Sequence, residues 1–225
     1  MIDDIARVLL DVTGEPLHKR GYRLASGIAP LKESLAAGLV ALSGWKYSEP
    51  LWDPCCGSGT LIIEAALMAH NRAPNLYRDF RFELLREYTP ALHERIRNTL
   101  KEREFGGKYA LYASDSDPTM IEYARENARR AGVEEDIHFF VADIVSPFPY
   151  APIPPRILTN PPYGKRMQGN DLTKLYTRLD ETIRDGNGGA YITSYFAENA
   201  RPGWKNKKLL NGADECRLWI YEGKR

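Results

Sequence analysis

Hydrophobic and polar positions along this chain follow two rhythms, one typical of strands and one of helices. Short apolar runs bounded by turn residues predict strands, and apolar residues spaced three and four apart predict helices. The predicted strands are residues 6–14, 50–52, 108–115, 137–141, 156–159, 190–195 and 215–221, and the predicted helices are residues 30–42, 61–69, 90–104, 118–131 and 172–184. Their alternation predicts an α/β fold, with an open, mostly parallel sheet and helices on both faces.

Two segments depart from this alternation. Residues 71–107 are charged and contain aromatic side chains, and we interpret them as an insertion into the α/β domain. The strand predicted at residues 6–14 has little sequence before it to pair with, so we expect the chain to be a piece of a longer protein. This divides the chain into an N-terminal strand and linker at residues 1–29 and a main domain at residues 30–225.

Composition narrows the class of protein without naming a function. The formal net charge of +1 gives no sign of a polyanionic partner, although a local basic face is compatible with it. Three cysteines, two of them adjacent at Cys55 and Cys56, provide neither a disulfide framework nor a metal-binding spacing. The chain has no apolar run of membrane-spanning length and begins with acidic rather than basic residues. We therefore expect a cytoplasmic protein without a metal or a membrane partner.

A glycine-rich segment, DPCCGSGT at residues 53–60, follows the strand predicted at 50–52. Glycines at such a turn let the backbone approach a ligand, and the helix that follows offers unpaired amides. A tight packing turn or a dinucleotide site would also use glycines here. However, the third glycine of the dinucleotide motif is missing, and Asp53 would repel a diphosphate. A cofactor with an amino group and a sulfonium suits this carboxylate, which favours S-adenosylmethionine.

Acidic residues end the next two predicted strands. Asp115 is placed to accept hydrogen bonds from both hydroxyls of a ribose, and Asp143 is placed to accept one from the adenine amine. Asp117, directly before Pro118, is typical of a helix N-cap instead. Each aspartate alone is compatible with a solvated turn, and it is their placement at successive strand ends that favours a cofactor site.

The tetrapeptide Asn160-Pro161-Pro162-Tyr163 follows the fourth strand of this row. An amide oxygen and a backbone carbonyl fixed by proline can together accept two hydrogen bonds from one amino group, which aims its lone pair at a methyl donor. The ring of Tyr163 offers a surface on which a purine can stack, a contact worth ~1–3 kcal/mol. The pattern predicts a site for a planar amine, and an ordinary turn with two prolines is the alternative.

The order DPCCGSGT, SDSDP, VADI and TNPPYG resembles class I, Rossmann-like methyltransferases that act on exocyclic amines. More narrowly, four blocks resemble the bacterial large-subunit ribosomal RNA guanine-N2 methyltransferases: residues 17–23, 29–33, 71–74 and 204–212. The resemblance implies a seven-stranded sheet, S-adenosylmethionine as cofactor, S-adenosylhomocysteine as product, and large-subunit ribosomal RNA as partner. In that family a THUMP RNA-binding domain precedes the catalytic domain; none is present in this chain, so most of the RNA affinity is expected to be missing.

The resemblance also implies roles for individual residues. The expected cofactor-binding residues are Asp53, Cys55, Gly57, Gly59, Thr60, Asp115, Asp143 and Asn160, and the expected catalytic residues are Asn160, Pro161, Pro162 and Tyr163. Within the loop we expect the thiols of Cys55 and Cys56 to pack rather than act as nucleophiles, because amine methylation needs no covalent adduct with the enzyme. Five basic residues are candidates to steer RNA phosphates toward the site: Lys19, Arg20, Arg23, Lys165 and Arg166.

Three other functions remain compatible with these residues. An N6-adenine methyltransferase acting on RNA or DNA would use the same tetrapeptide, and only the resemblance of the whole chain favours guanine. A module that binds S-adenosylmethionine or RNA without turnover is a second alternative. A nicotinamide-dependent dehydrogenase is the third, and the spacing of the glycines and Asp53 argue against it.

Overall fold

A computed structural model of the protein describes residues 8–23, 31–144, 146–150, 154–163, 170–195 and 201–223. The seven strands form one sheet in the order β3-β2-β1-β4-β5-β7-β6. They are β1 (Leu51–Asp53), β2 (Leu111–Asp115), β3 (Ile137–Val141), β4 (Arg156–Thr159), β5 (Gly189–Thr193), β6 (Lys205–Asn211) and β7 (Asp214–Tyr221). The first five run parallel, and β7 and β6 are antiparallel additions at one edge. The predicted mostly parallel sheet is confirmed.

The described residues form five α-helices: α1 (Glu33–Leu42), α2 (Thr60–Ala69), α3 (Pro90–Glu102), α4 (Pro118–Ala131) and α5 (Asn170–Asp185). All except α3 contribute buried side chains to the cores on the two faces of the sheet. All five lie where the apolar spacing predicts them.

The bounds of α4 follow from its caps. The Asp117 carboxylate accepts a hydrogen bond from the amide of Thr119 at 2.8 Å, Pro118 occupies the first turn, and Gly132 ends the helix with a φ of 70°. The prediction that Asp117 is an N-cap is confirmed.

The central strands β1, β4 and β5 are buried on both faces, and successive side chains along them alternate between two cores. Leu51 and Leu158 point into a core formed with α1, α2 and α4. Trp52 and Ile157, their neighbours in the chain, point into a second core formed with α5. This alternation follows from the period of two in a strand. Because both faces are covered, functional groups gather at the ends of the strands rather than on the faces.

Of the two antiparallel strands at the edge of the sheet, the sequence predicted only β7. β7 matches the prediction, but β6 was missed because its side chains are mostly exposed and its sequence, KNKKLLN, lacks a polar and apolar alternation. An edge strand needs no buried face, and lysines are typical of such edges because they discourage pairing with other chains.

The strand predicted at residues 6–14 is wrong for the part that the structure describes. Residues 8–14 are not in a strand, and Val8, Leu9 and Leu10 are largely exposed. β-Branched composition alone gave this prediction, and a strand requires a neighbouring strand to pair with, which residues 8–14 do not have in the described part of the chain. Residues 20–23, by contrast, belong to the folded domain, since Tyr22 is buried in the core with α1 and α2.

Residues 71–107 lie between α2 and β2 and contain α3, which has no buried residue. This segment contacts residues 12–17. The Arg78 guanidinium donates to the Thr13 carbonyl at 3.0 Å, the Phe82 amide donates to the Val12 carbonyl at 2.9 Å, and the Asn75 side chain donates to the Leu17 carbonyl at 2.9 Å. The segment therefore holds the start of the described chain against the domain.

Candidate active site

The order of the strands places a crevice between β1 and β4. The chain passes from β1 outward to β2 and β3, and then returns to the other side of β1 to form β4 and β5. Ligands of open parallel sheets bind where the order reverses, beyond the carboxyl ends of the strands. Asp53 ends β1, Asn160 follows β4, Asp115 ends β2, and Asp143 comes two residues after β3. The four polar residues predicted from the sequence thus lie along one edge of the sheet.

Asp53 is buried at the centre of this crevice, with 2% of its surface exposed. Its carboxylate accepts a hydrogen bond from the Thr159 hydroxyl at 2.7 Å and one from the Cys55 amide at 3.3 Å. Burial raises the pKa of this carboxyl to about 7, and these two hydrogen bonds oppose that rise. A cation placed beside Asp53 would compensate for the burial of its charge. Thr159, which donates to Asp53, is followed directly in the chain by Asn160.

The two glycines of the loop face different surroundings. Both have positive φ, 51° for Gly57 and 85° for Gly59, which other residues adopt only at a cost. A Cβ built on Gly57 would meet no atom of the described residues within 4 Å, so it faces open space. A Cβ on Gly59 would lie 3.1 Å from the Cβ of Ala124 and 3.2 Å from the Cδ1 of Ile63. Gly57 therefore leaves room for a ligand, whereas Gly59 lets α2 pack against α4.

Asp115 holds the loop in place. One carboxylate oxygen accepts a hydrogen bond from the Gly57 amide at 2.9 Å, and the other accepts one from the Asp117 amide at 3.1 Å. The side chain is half-buried, and a carboxylate can accept more hydrogen bonds than these two. These two hydrogen bonds from backbone amides were not predicted from the sequence. Asp143 is exposed at the same edge.

The two adjacent cysteines are packed, as expected. Burial raises the pKa of both thiols, and the charge of Asp53 adds to that rise. A thiol with a raised pKa stays protonated at neutral pH and is a poor nucleophile. The Thr60 hydroxyl, at the start of α2, accepts a hydrogen bond from Arg23 at 3.0 Å.

Asn160 is half-buried, and its Oδ1 atom is buried without a hydrogen-bond partner among the described residues. An unpaired buried acceptor costs ~1–3 kcal/mol, so folded proteins rarely keep one without a functional reason. The sequence predicts that this same oxygen receives the amino group of a substrate.

Residues distant in sequence hold Pro162 and Tyr163, the last two residues of the tetrapeptide. The Tyr176 hydroxyl, on α5, donates to the Pro162 carbonyl at 3.4 Å and is bonded to the Thr193 hydroxyl at 2.6 Å. The Tyr163 ring is half-buried against the core with α1 and α2, and its hydroxyl accepts a hydrogen bond from the Asn211 side chain at 3.0 Å. These contacts fix the backbone at Pro162 and the ring of Tyr163.

Sequence reasoning missed the residues that support the site. Thr159 holds Asp53, Tyr176 holds Pro162, and Asn211 holds Tyr163. Thr159 was detectable, because a hydroxyl at a strand end beside Asn160 faces the same crevice. The other two are distant in sequence from the residues they contact, and no local pattern marks them.

The prediction that Arg20 and Arg23 steer RNA is wrong, because both side chains are mostly buried and are paired with acidic residues of the domain. Arg20 forms an ion pair with Glu64 at 2.9 Å, with 11% and 3% of the side chains exposed. Arg23 donates to the Leu31 carbonyl at 2.6 Å and lies 3.7 Å from Glu33. Both arginines lock residues 20–23 onto α1 and α2.

Lys19 is exposed and pairs with Glu15 at 2.7 Å. The remaining two basic candidates, Lys165 and Arg166, lie outside the described residues, as does part of the block at residues 29–33.

Replacing Arg20 by methionine is expected to destabilise the domain by about 3 kcal/mol, because it leaves Glu64 buried without its partner. RNA affinity should not change. Chemical denaturation and fluorescence anisotropy with labelled RNA measure the two quantities. Lys19→Ala, an exposed change, is the control and should shift the free energy of unfolding by less than about 0.5 kcal/mol. Loss of RNA affinity in the Arg20 variant at unchanged stability would restore the steering role.

The two loop glycines should respond differently to alanine. Each substitution costs about 1–2 kcal/mol for the left-handed backbone. Gly57→Ala should in addition weaken binding of S-adenosylmethionine more than about tenfold, because its methyl group enters the ligand space. Gly59→Ala should lose more stability, since its methyl group overlaps Ala124 on α4. Thermal unfolding and calorimetry with the cofactor compare the pair, and equal effects of the two variants on binding would contradict the assignment.

Among the described residues, no helix is long and apolar enough to cross a membrane, and no group of three or more His, Cys, Asp or Glu side chains is placed to hold a metal ion.

Comparison with known proteins identifies the domain. A family described as "RMKL-like, methyltransferase domain" matches residues 20–202. SMU.472, a methyltransferase-like protein solved in complex with SAH, is 34% identical with a TM-score of 0.86. A protein described as a "possible methylase from Clostridium difficile 630" is 40% identical with a TM-score of 0.86. A third, from Listeria monocytogenes, is described as a "predicted N6-adenine-specific DNA methylase" and is 32% identical with a TM-score of 0.85.

These similarities cover 95% to 96% of this chain but only 57% to 58% of the solved proteins, so the chain spans under three fifths of their length. The predicted class I, Rossmann-like methyltransferase fold is confirmed over that span. The family match extends from Arg20 to Pro202 and includes both the glycine loop and the Asn-Pro-Pro-Tyr tetrapeptide. The chain belongs to the family of RMKL-like methyltransferase domains.

Proposed function

We propose that this domain transfers a methyl group from S-adenosylmethionine to the exocyclic N2 amine of a guanine in large-subunit ribosomal RNA. The observation that carries this proposal is the buried, unpaired Oδ1 of Asn160 in the crevice that also contains Asp53. Asn160 directly follows Thr159, whose hydroxyl is hydrogen-bonded to the buried Asp53 carboxyl, and no cation is among the hydrogen-bond partners of that carboxyl in the described chain. A buried, unpaired acceptor beside such a carboxyl fits an amine facing a positively charged methyl donor.

The residues present fit S-adenosylmethionine. Asp53 provides the carboxylate that a sulfonium and an ammonium group would stabilise, and the space beside Gly57 admits a ligand close to the backbone. Asp115 presents its carboxylate at the end of β2, where a ribose would lie, and Asp143 stands at the end of β3 for the adenine amine. SMU.472, which is 34% identical, was solved with the product S-adenosylhomocysteine. The cofactor supplies a methyl group already activated by the positive sulfur.

The chain's own contribution is to orient the amine. The Asn160 oxygen and a carbonyl of the proline pair, that of Pro161, would accept the two hydrogens of the amino group. Its lone pair then points toward the methyl group, and the displacement proceeds in line. The methylated amine is strongly acidic, so its extra proton leaves to water without a histidine or glutamate base. Alignment and exclusion of water account for the rate.

The base must leave its helix to reach this crevice, since the N2 amine of a paired guanine is hydrogen bonded. Tyr163 would stack on the flipped base, a contact worth ~1–3 kcal/mol. The ring is suited to this because one edge is fixed in the protein while the residue remains half-exposed.

Guanine N2 is favoured over adenine N6 by sequence blocks outside the site. The four blocks at residues 17–23, 29–33, 71–74 and 204–212 resemble the guanine-N2 family, whereas the tetrapeptide itself would hold either base. The N6-adenine activity remains the second candidate, because the Listeria monocytogenes protein of similar structure is described with that specificity. We propose that a THUMP domain elsewhere in the parent protein supplies most of the affinity for RNA, and that residues 71–107 are an insertion into the methyltransferase domain.

RNA transcripts that lack either the N2 amine of guanine or the N6 amine of adenine test the proposal. Large-subunit RNA made with inosine in place of guanosine has no N2 amine, and RNA made with purine riboside in place of adenosine has no N6 amine. We expect methyl transfer from labelled S-adenosylmethionine to vanish with inosine and to persist with purine riboside. The opposite pattern would identify an N6-adenine methyltransferase, and cofactor binding without transfer to any RNA or DNA would indicate a binding module.

A further inference from the structure

The hairpin of β6 and β7 reaches the acceptor side of the crevice. β6 ends at Asn211, which pairs with Asp214 across the turn. From this position the Asn211 side-chain amide donates a hydrogen bond to the Tyr163 hydroxyl at 3.0 Å. Residues 48 positions apart in the chain are thus joined at the ring on which the base would stack.

A second residue of the hairpin holds the same hydroxyl. Cys216, on β7, is fully buried and forms a side-chain hydrogen bond with Tyr163. Because the hydroxyl accepts from Asn211, its own proton is available for the Cys216 sulfur. The ring also packs against the core with α1 and α2. Its far edge therefore has two partners on one rigid element.

This arrangement fixes the position of the far edge of the ring. Hydrogen bonds to the hydroxyl keep the far edge from shifting, and the packing against the core restricts rotation about the axis of the ring. A stacked base follows the plane of the ring beneath it, and its amine must meet both Asn160 and the methyl donor. Small errors in the orientation of reacting groups are costly in rate.

We propose that Asn211 is a positioning residue for the acceptor base, acting through the hydroxyl of Tyr163. This inference rests on the proposed function, in which Tyr163 stacks on the base. It assigns a role to the edge hairpin of the sheet, which contributes no residue to the cofactor side.

Steady-state kinetics with RNA as the varied substrate test this proposal in four variants of the 225-residue chain. Asn211→Ala and Tyr163→Phe each remove one partner of the same hydrogen bond, and the double variant removes both. Asn206→Ala is the matched control. Asn206 lies on the same strand and accepts a hydrogen bond from Arg217 at 3.1 Å, at the opposite end of the hairpin from Tyr163.

We expect Asn211→Ala and Tyr163→Phe each to lower kcat/KM for RNA by about two- to tenfold, the range for one net hydrogen bond. The double variant should lose no more than Tyr163→Phe alone, because that substitution already removes the hydrogen bond to Asn211 together with the one to Cys216. Binding of S-adenosylmethionine should be unchanged in all, and Asn206→Ala should have wild-type kinetics. Assays are run well below the melting temperature of every variant, so that a loss of stability does not lower the rate.

Two results would overturn the inference: wild-type kinetics in Asn211→Ala, or losses that multiply in the double variant. Tyr163→Ala separates this failure from that of the proposed function. If Tyr163→Ala is impaired while Asn211→Ala is not, stacking stands and the positioning role falls. If Tyr163→Ala is fully active, the stacking step of the proposed function is wrong as well.

Discussion

Asn160→Ala is expected to lower kcat for methyl transfer by about 10²-fold or more, the loss that follows when a reacting group is misplaced by about 1 Å. The substitution removes the acceptor that would fix the amine, and the buried Oδ1 has no hydrogen-bond partner in the described chain that would give it another role. Single-turnover assays with labelled cofactor and RNA measure this rate.

Stability and cofactor binding distinguish this result from unfolding. Removing an unpaired buried oxygen should not reduce the free energy of unfolding of the cofactor-free protein. Affinity for S-adenosylmethionine should change by no more than a few-fold, about 1 kcal/mol or less, because one weak contact is lost. Asn160→Asp keeps an acceptor oxygen and should retain more activity than the alanine variant. Full activity in Asn160→Ala would remove Asn160 from the mechanism.

The second large effect is a dependence of cofactor affinity on pH. Burial raises the pKa of Asp53 from 3.8 to about 7, so the carboxyl of the free protein is largely protonated at pH 6. A positively charged cofactor binds the ionised form better, and binding below pH 7 therefore releases a proton. We expect the Kd for S-adenosylmethionine to rise about tenfold for each pH unit below 7 and to level off above it.

Calorimetry in two buffers of different ionisation enthalpy measures the released proton directly. Release should approach one proton at pH 6 and none at pH 8. Asp53→Asn should weaken binding and abolish this dependence. Thr159→Val removes a hydrogen bond that lowers the Asp53 pKa, so the midpoint should move to higher pH. A Kd that is constant between pH 6 and 8 would contradict the role of Asp53.

The raised pKa values of buried carboxyls also make the stability of the fold depend on pH, in the direction opposite to cofactor binding. Burial also raises the pKa of Glu64, from 4.5 to about 7. Since the folded protein holds protons on Asp53 and Glu64 that the unfolded chain has lost, their stabilisation is complete below about pH 4. It is lost as the pH rises through about 7. Only Asp53 should couple to the cofactor, since Glu64 lies within α2 and is paired with Arg20 and Tyr22.

The regular part of the fold was predictable because the sequence signals agree with the tertiary structure. In α4, the cap at Asp117, the proline at the first turn and the glycine at position 132 all point to the same bounds. β6 had no such signal, since an exposed edge strand carries no apolar alternation. The strand expected at residues 6–14 failed because composition cannot supply a pairing partner.

The residues of the candidate site also fall into a predictable group and an unpredictable one. Asp53, Asp115 and Asn160 were predicted to share one edge because carboxyl ends of parallel strands meet there, and the structure places them so. Their supports depend on contacts between distant segments, as between Tyr163 and Asn211, and one sequence contains no signal for these. The arginines at 20 and 23 were misread because a cluster of basic residues looks alike whether it faces solvent or a buried acid.

The nature of the methylated nucleoside is the most direct test of the account. Unmodified large-subunit ribosomal RNA is incubated with the protein and isotopically labelled S-adenosylmethionine, digested to nucleosides, and analysed by mass spectrometry with authentic standards. The account predicts that the label appears in N2-methylguanosine, and that the Asn160→Ala protein produces almost none. Label in N6-methyladenosine instead, or N2-methylguanosine formed equally well by the Asn160→Ala protein, would contradict it.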